Sequence, residues 1–136
     1  ICRKIINAKL NKDSSIDVWG DGEQTRSFLY IDDRIKGTIN LFESDSTKVY
    51  NIGSEEQVSI NQMINMIEEI ASYKVKKNYQ LDKPLGVRGR SSDNTMITKE
   101  IGWSPSLNLK QGLEQTYSWI YDQVVSGSNT KKFTRS

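Results

Sequence analysis

Apolar and polar positions recur along this chain with a period that changes from segment to segment, and the changes mark its elements. Ile1, Ile5, Ile6 and Leu10 fall at near-helical spacing, so residues 1–11 read as the end of a helix that starts further upstream. Ile16-Asp17-Val18-Trp19 alternates as a short strand does. Gly20-Asp21-Gly22 then supplies a turn before a second β-prone run, Phe28-Leu29-Tyr30-Ile31. Asp32 and Asp33 can cap a following helix that carries Ile35, Ile39 and Phe42 on one face. Val49-Tyr50-Asn51-Ile52-Gly53 is too short for a helix and too apolar for a loop, which predicts a buried parallel strand ending at a glycine.

The next helix is the plainest. Ser59 and Gln62 form an S-x-x-Q capping box, Val58 and Met63 can make a hydrophobic staple, and Ile60, Ile64, Ile67 and Ile70 continue an apolar stripe over 59–72. Val75 to Leu81 predicts another strand, and Pro84-Leu85-Gly86 opens a loop. Asp93 is placed to cap a short helix through Ile97 and Ile101, which Gly102 stops with Pro105 just beyond. The last helix starts near Asn108 and aligns Leu109, Leu113, Thr116, Tyr117, Ile120 and Val124 on one face before Gly127. Ser126 to Ser136 is polar and basic, a tail on a domain of residues 1–125. Helices and strands alternate, so the class is α/β.

Composition narrows the function. The 136 residues suffice for one core, and no run approaches the ~20 apolar residues that span a bilayer, so the expectation is a cytoplasmic chain with no membrane partner. The net charge is +2, yet Lys131, Lys132 and Arg135 of the tail supply three positive charges, which leaves the body without a basic excess and argues against nucleic acid as a partner. With one cysteine and no histidine, a disulfide framework, a zinc site and the Ser/His/Asp or Cys/His catalytic arrangements are all excluded. The chain opens Ile-Cys-Arg-Lys, without a methionine, as a protein entered partway through does.

Two loops remain that carry chemistry: Gly20-Asp21-Gly22-Glu23-Gln24-Thr25-Arg26-Ser27-Phe28 and Gly86-Val87-Arg88-Gly89-Arg90. In each, glycines let a ligand approach the backbone while an arginine offers a planar fork of donors that matches a pair of phosphate oxygens. Arginines in such places also serve as solvated surface groups or ion-pair partners, and spacing alone does not decide between these roles.

The order of the pieces does more. W-G-D-G-x-Q-T-R-S-F-x-x-I-D-D, then Y-N-I-G-S, then V-R-G-R-S-S-D-N, then I-G-W-S-P resembles the C-terminal half of an extended short-chain dehydrogenase/reductase, and within it the GDP-mannose 3,5-epimerase type. The resemblance covers residues 1–125, with Arg88-Gly89-Arg90-Ser91-Ser92-Asp93-Asn94 its most discriminating part. It implies the C-terminal substrate-binding portion of a Rossmann-type fold, with NAD held by an N-terminal half that is not in this sequence. It implies substrate contacts at Lys4, Gln24, Thr25, Arg26 and Arg90, and a place near the base for Asp17 and Val18. It puts the 48–52 strand in the sheet of the other half. The reaction it implies converts GDP-mannose to GDP-L-galactose through a transient 4-keto sugar, in a full-length homodimer.

The chain also departs from that pattern. No G-x-x-G-x-x-G follows a strand, and the catalytic lysine of the family would precede Ile1. Tyr73 and Lys77 satisfy Y-x-x-x-K but sit where a helix yields to a strand, so they do not read as the catalytic pair. Cys2 reads as a small buried apolar residue, and Trp103 and Trp119 as packing residues. The 136 residues are thus expected to bind and orient a nucleotide-diphosphate sugar, with no catalytic, cofactor-binding or metal-binding residue of their own and no turnover alone. A UDP- or dTDP-sugar 4-epimerase or 4,6-dehydratase shares the same contacts, and a non-catalytic nucleotide- or RNA-binding module of the same fold is the reading from another class.

Overall fold

A computed structural model describes residues 1–84 and 86–127. Helix α1 (Cys2–Asn11) turns Cys2, Ile5, Ile6 and Ala8 inward. Strand β1 (Ser15–Trp19) buries Ile16 and Val18 and exposes Asp17 and Trp19, the alternation its sequence predicts. The short strand β2 (Thr25–Ser27) precedes α2 (Ile31–Phe42), and β3 (Gln57–Ser59) runs directly into α3 (Ile60–Ala71). Strand β4 (Lys76–Gln80), α4 (Thr95–Ile101) and α5 (Leu109–Val125) complete the order.

Two small sheets result. β1 and β4 run parallel, Ser15 opposite Lys76 and Trp19 opposite Gln80, with α3 in the crossover between them. β2 and β3 are antiparallel, Thr25 opposite Ser59. The core lies where α1, α3 and α5 meet behind β1, and it contains Ile5, Ile6, Val18, Ile64, Ile67, Leu113 and Tyr117. Helices α3 and α5 open on complete capping boxes, Ser59 with Gln62 and Asn108 with Gln111. Val58 and Met63 are both buried in the core, as a staple across the start of α3 requires.

Outside this core, α2 is fixed by two small features. Gly37 lies flat against the Trp103 indole, where a Cβ would stand 2.7 Å from Cε2. Asp33, 2% exposed, accepts hydrogen bonds from the Ser106 hydroxyl (2.6 Å), the Ser106 amide (3.0 Å) and the Leu107 amide (3.1 Å). Burial alone would raise its pKa, but these donors and the positive charge of Lys36 outweigh it and hold the carboxyl below its ordinary value.

Several expectations are corrected. The second β-prone run does not form a strand at Phe28–Ile31: β2 is three residues earlier, since β3 offers only three residues to pair with, and Tyr30 already caps α2. Asp32 and Asp33 lie inside the first turn of α2 and make no cap; Asp33 is spent on Ser106 and Leu107 instead. The face with Ile35, Ile39 and Phe42 points outward, at 48%, 48% and 90% exposure, because the side that docks is that of Asp33 and Gly37. Residues 49–53 are neither strand nor buried, with Val49 92% exposed, since no described strand lies beside them. Short bonds hold the segment instead, from Arg34 Nη1 to the Ile52 carbonyl and from Asn94 Nδ2 to the Gly53 carbonyl. The N-cap of α4 is Asn94, although the Asp93 carboxylate does accept from the Thr95 amide. Trp103 packs, at 3% exposure, whereas Trp119 is 60% exposed on a groove shared with Leu29, Tyr30 and Ile31. Of the polar tail, residues 128–136 lie outside the described residues, as does Leu85.

Asp33 gives the clearest test of this arrangement. Asp33→Ala should cost about 2–4 kcal/mol in urea denaturation, because three donors lose a buried charged acceptor. The native carboxyl is held below its ordinary value of 3.8, so its stabilisation is complete above about pH 5 and is lost as pH falls through 3.8 toward the native value. The stability gap between the wild type and Asp33→Asn should therefore narrow below about pH 4, and a gap that stays constant there contradicts the assignment.

Candidate functional site

The site begins at the turn between β1 and β2. Gly20 and Gly22 both adopt left-handed backbone, with φ of 78° and 76°, and the Gly20 amide continues the β1–β4 ladder by donating to the Gln80 carbonyl. The Asp21 carboxylate accepts from the Glu23 amide, closing the turn locally. The N-terminus of α3 then seizes it. The Asn61 amide donates to the Gly22 carbonyl (3.0 Å) and the Ile60 amide to the Gln24 carbonyl (3.2 Å). These are amides that a helix leaves without internal partners.

Downstream, Gln24 is buried, its Nε2 donating to the Trp19 carbonyl (3.1 Å) while its Oε1 is shut away from solvent. Thr25 and Arg26 are half-buried, and Nη1 of Arg26 donates to the Thr25 carbonyl. The second loop comes to this same edge. The Thr25 amide donates to the Arg88 carbonyl (2.9 Å), so the backbone of residue 88 lies against β2. A Cβ on Gly89 would stand 2.8 Å from Thr25 Oγ1, and one on Gly86 would stand 3.6 Å from Arg26 Nη2. Two loops some sixty residues apart in sequence are thus in direct contact, with Arg26 on one and Arg88 and Arg90 on the other.

The individual residues divide as follows. Gln24, Thr25, Arg26 and the loop that bears the exposed Arg90 are brought together. Lys4 is tied elsewhere: from α1 it donates to the Asp17 carbonyl on β1 (2.8 Å). Asp17 is exposed, but the Val18 side chain, 1% exposed, belongs to the core. Arg88 faces Asp21 at 3.9 Å across the two loops, an exposed pairing of small energetic value.

Other chemistry-bearing groups are occupied structurally. Tyr73 donates to the Asp13 carbonyl and Lys77 to Asn65 Oδ1, so this tyrosine and lysine act as separate tethers. Burial pushes the Cys2 thiol up, partly offset by the chain's amino group, which disfavours a thiolate. Lys48 and Tyr50 both bond to Glu100 at the surface, lowering the pKa of that carboxyl and raising that of the lysine. Among the described residues no three acidic or thiol groups cluster as metal ligands.

Chemically, the edge of β2 sets the Arg26 guanidinium beside the glycine backbone of the second loop, which suits a ligand with anionic oxygens. Sequence reasoning found the arginines and missed Asn61, whose partners lie 18 to 40 residues away.

The sequence profile of the GDP-mannose 4,6 dehydratase family matches residues 1–116. The chain is 43% identical over 123 residues to the GDP-mannose 3,5-epimerase of Arabidopsis thaliana, a match covering 90% of this chain and 31% of that protein. Among solved structures, the UDP-glucuronic acid 4-epimerase of Bacillus cereus, in complex with UDP-glucuronic acid and NAD, superposes with a TM-score of 0.77 at 32% identity, over 91% of this chain and 40% of that one. The fold also matches the UDP-glucose 4-epimerase of Thermotoga maritima with UDP-glucose, with a TM-score of 0.81 at 24% identity over 90% and 38% of the two chains. The α/β architecture is therefore part of an extended short-chain dehydrogenase/reductase fold, and the chain spans about a third of the length of the epimerase relative.

The turn is directly testable through two glycines of like conformation. Gly102, with φ of 73°, has nothing within 4 Å of where a Cβ would stand, so Gly102→Ala should cost only about 1 kcal/mol for the left-handed backbone. At Gly22 the added carbon would also overlap the Asn61 carboxamide, and Gly22→Ala should cost about 2–4 kcal/mol. Equal losses in chemical denaturation would mean that the turn is not seated on α3.

Proposed function

Because this chain belongs to the GDP-mannose 4,6 dehydratase family, we propose that it is the nucleotide-sugar-binding part of an NAD-dependent sugar-nucleotide epimerase of the GDP-mannose 3,5-epimerase type. The observation that carries the reading is the bond from the Thr25 amide to the Arg88 carbonyl, which sets the loop of Arg90 against the strand of Arg26. A nucleoside diphosphate carries about two negative charges, and two guanidinium forks beside glycine backbone are matched to its oxygens. Thr25 lines the same edge, Gln24 braces the turn beneath it, and Lys4 would reach the ligand only by leaving the Asp17 carbonyl.

NAD is not assigned to this chain. Dinucleotide sites of this kind seat the pyrophosphate on a glycine turn between a strand and a helix N-terminus, and here Gly20-Asp21-Gly22 opens onto β2 instead. We therefore assign the NAD of such an enzyme to a glycine-rich turn outside these 136 residues. The contribution of these residues is binding and orientation, which can lower a barrier by several kcal/mol without any acid or base among them. The GDP-mannose to GDP-L-galactose conversion, the homodimer and a cytoplasmic location complete the proposal; no described helix is long and apolar enough to cross a membrane.

The alternative substrate class is a UDP- or dTDP-sugar, favoured by the structural match to UDP-sugar epimerases. Titration with GDP-mannose, UDP-glucuronic acid, dTDP-glucose and a short RNA separates the possibilities, with GDP-mannose expected to bind tightest. In the full-length enzyme, Arg26→Ala or Arg90→Ala should lower kcat/KM by about 2–4 kcal/mol, and Arg→Lys should recover only part because the fork is lost. The two substitutions should couple, as groups on one ligand do. Additive losses below about 0.5 kcal/mol each would remove the diphosphate from this site.

A further inference from the structure

Asn61, the second residue of α3, makes more bonds to the Gly20–Glu23 turn than any local pattern requires. Its amide donates to the Gly22 carbonyl, and its Nδ2 donates to the Asp21 carbonyl (3.2 Å) and to Glu23 Oε1 (2.6 Å). Its Oδ1 accepts from the Tyr79 hydroxyl on β4 (2.9 Å). Both side-chain donors and the acceptor of the carboxamide are thus engaged, and Tyr79 fixes which way it faces. Gly22 is part of the same fit, since a Cβ there would press on the Asn61 side chain. An aspartate at position 61 could not donate to either partner and would face the Glu23 carboxylate. An alanine would release both.

Glu23 is exposed and stands three residues before Arg26. Released from Asn61, its carboxylate is the nearest acid in sequence to Arg26, on the strand that the Arg90 loop abuts, and charge-assisted pairing there would compete with a ligand anion. Asn61 therefore acts on the ligand through two other groups, the turn backbone and the Glu23 carboxylate.

We propose that Asn61 is a positioning residue for nucleoside diphosphate binding: it seats the Gly20–Glu23 turn on α3 and keeps the Glu23 carboxylate from competing with the diphosphate for Arg26 and Arg90. This rests on the diphosphate assignment of those two arginines. The test is calorimetric titration of the full chain with GDP, alongside thermal melting of each variant. Asn61→Ala should weaken GDP binding about 10-fold, and Asn61→Asp should weaken it further. Adding Glu23→Gln to Asn61→Ala should restore most of the loss, a recovery that a purely structural role for Asn61 would not produce. If Asn61→Ala fails to fold, Tyr79→Phe, which loosens the carboxamide alone, should weaken GDP about 3-fold. Wild-type affinity in Asn61→Ala, or a loss that Glu23→Gln leaves untouched, overturns the proposal while Arg26→Ala still impairs binding. Unchanged GDP affinity in Arg26→Ala overturns the diphosphate assignment itself, and this inference with it.

Discussion

The first amides of α3 hold the site together. A helix leaves its initial N–H groups without internal acceptors, and here three successive ones find them outside: Ile60 at the Gln24 carbonyl, Asn61 at the Gly22 carbonyl and Gln62 at the Ser59 hydroxyl. The same helix buries Ile64 and Ile67 at the centre of the core. The turn is therefore fastened to a helix rooted in the fully buried core, and β2 starts from that point. Everything functional is built outward from there: β2 pairs with β3, the Arg88 carbonyl is taken up by Thr25, and the second arginine loop is placed.

Charge bookkeeping by composition could not reveal such a site, because the body of the chain is close to neutral. The structure shows where its acids go. Asp33 accepts from Ser106 and Leu107, Glu55 from the Asn94 amide, Glu56 from the Leu109 amide and Glu68 from the Val75 amide. Carboxylates here serve as stand-ins for backbone carbonyls at helix starts and chain reversals. Of the acids on the turn before β2, the Asp21 carboxylate accepts from the Glu23 amide and the Glu23 carboxylate from Asn61.

What could be read in advance follows the range of the interactions. The capping box at Ser59, the start of α5 near Asn108, the glycine stop at Gly102 and the alternation of β1 are decided within a few residues, and all are found as expected. The arginine loops were legible as chemistry, and their likeness to known sugar-nucleotide enzymes matches the family to which the chain belongs. Asn61 was not legible, since a carboxamide that serves Asp21, Glu23 and Tyr79 looks like any polar residue in a first helical turn. The stripe of α2 and the 49–53 segment failed for the opposite reason. Their patterns state a demand for burial, and periodicity carries no information on whether a partner is present to meet it.

That stripe also shapes the thermodynamics of the chain. Unfolding raises the heat capacity by about 12–15 cal/mol/K per residue in ordinary domains, chiefly because apolar surface enters water. Ile31, Phe42, Val49 and Trp119 are largely in water before any unfolding takes place, and Ile35 and Ile39 are about half so. The heat-capacity increment of the described residues therefore falls below what their number implies, and their curve of stability against temperature is correspondingly shallow.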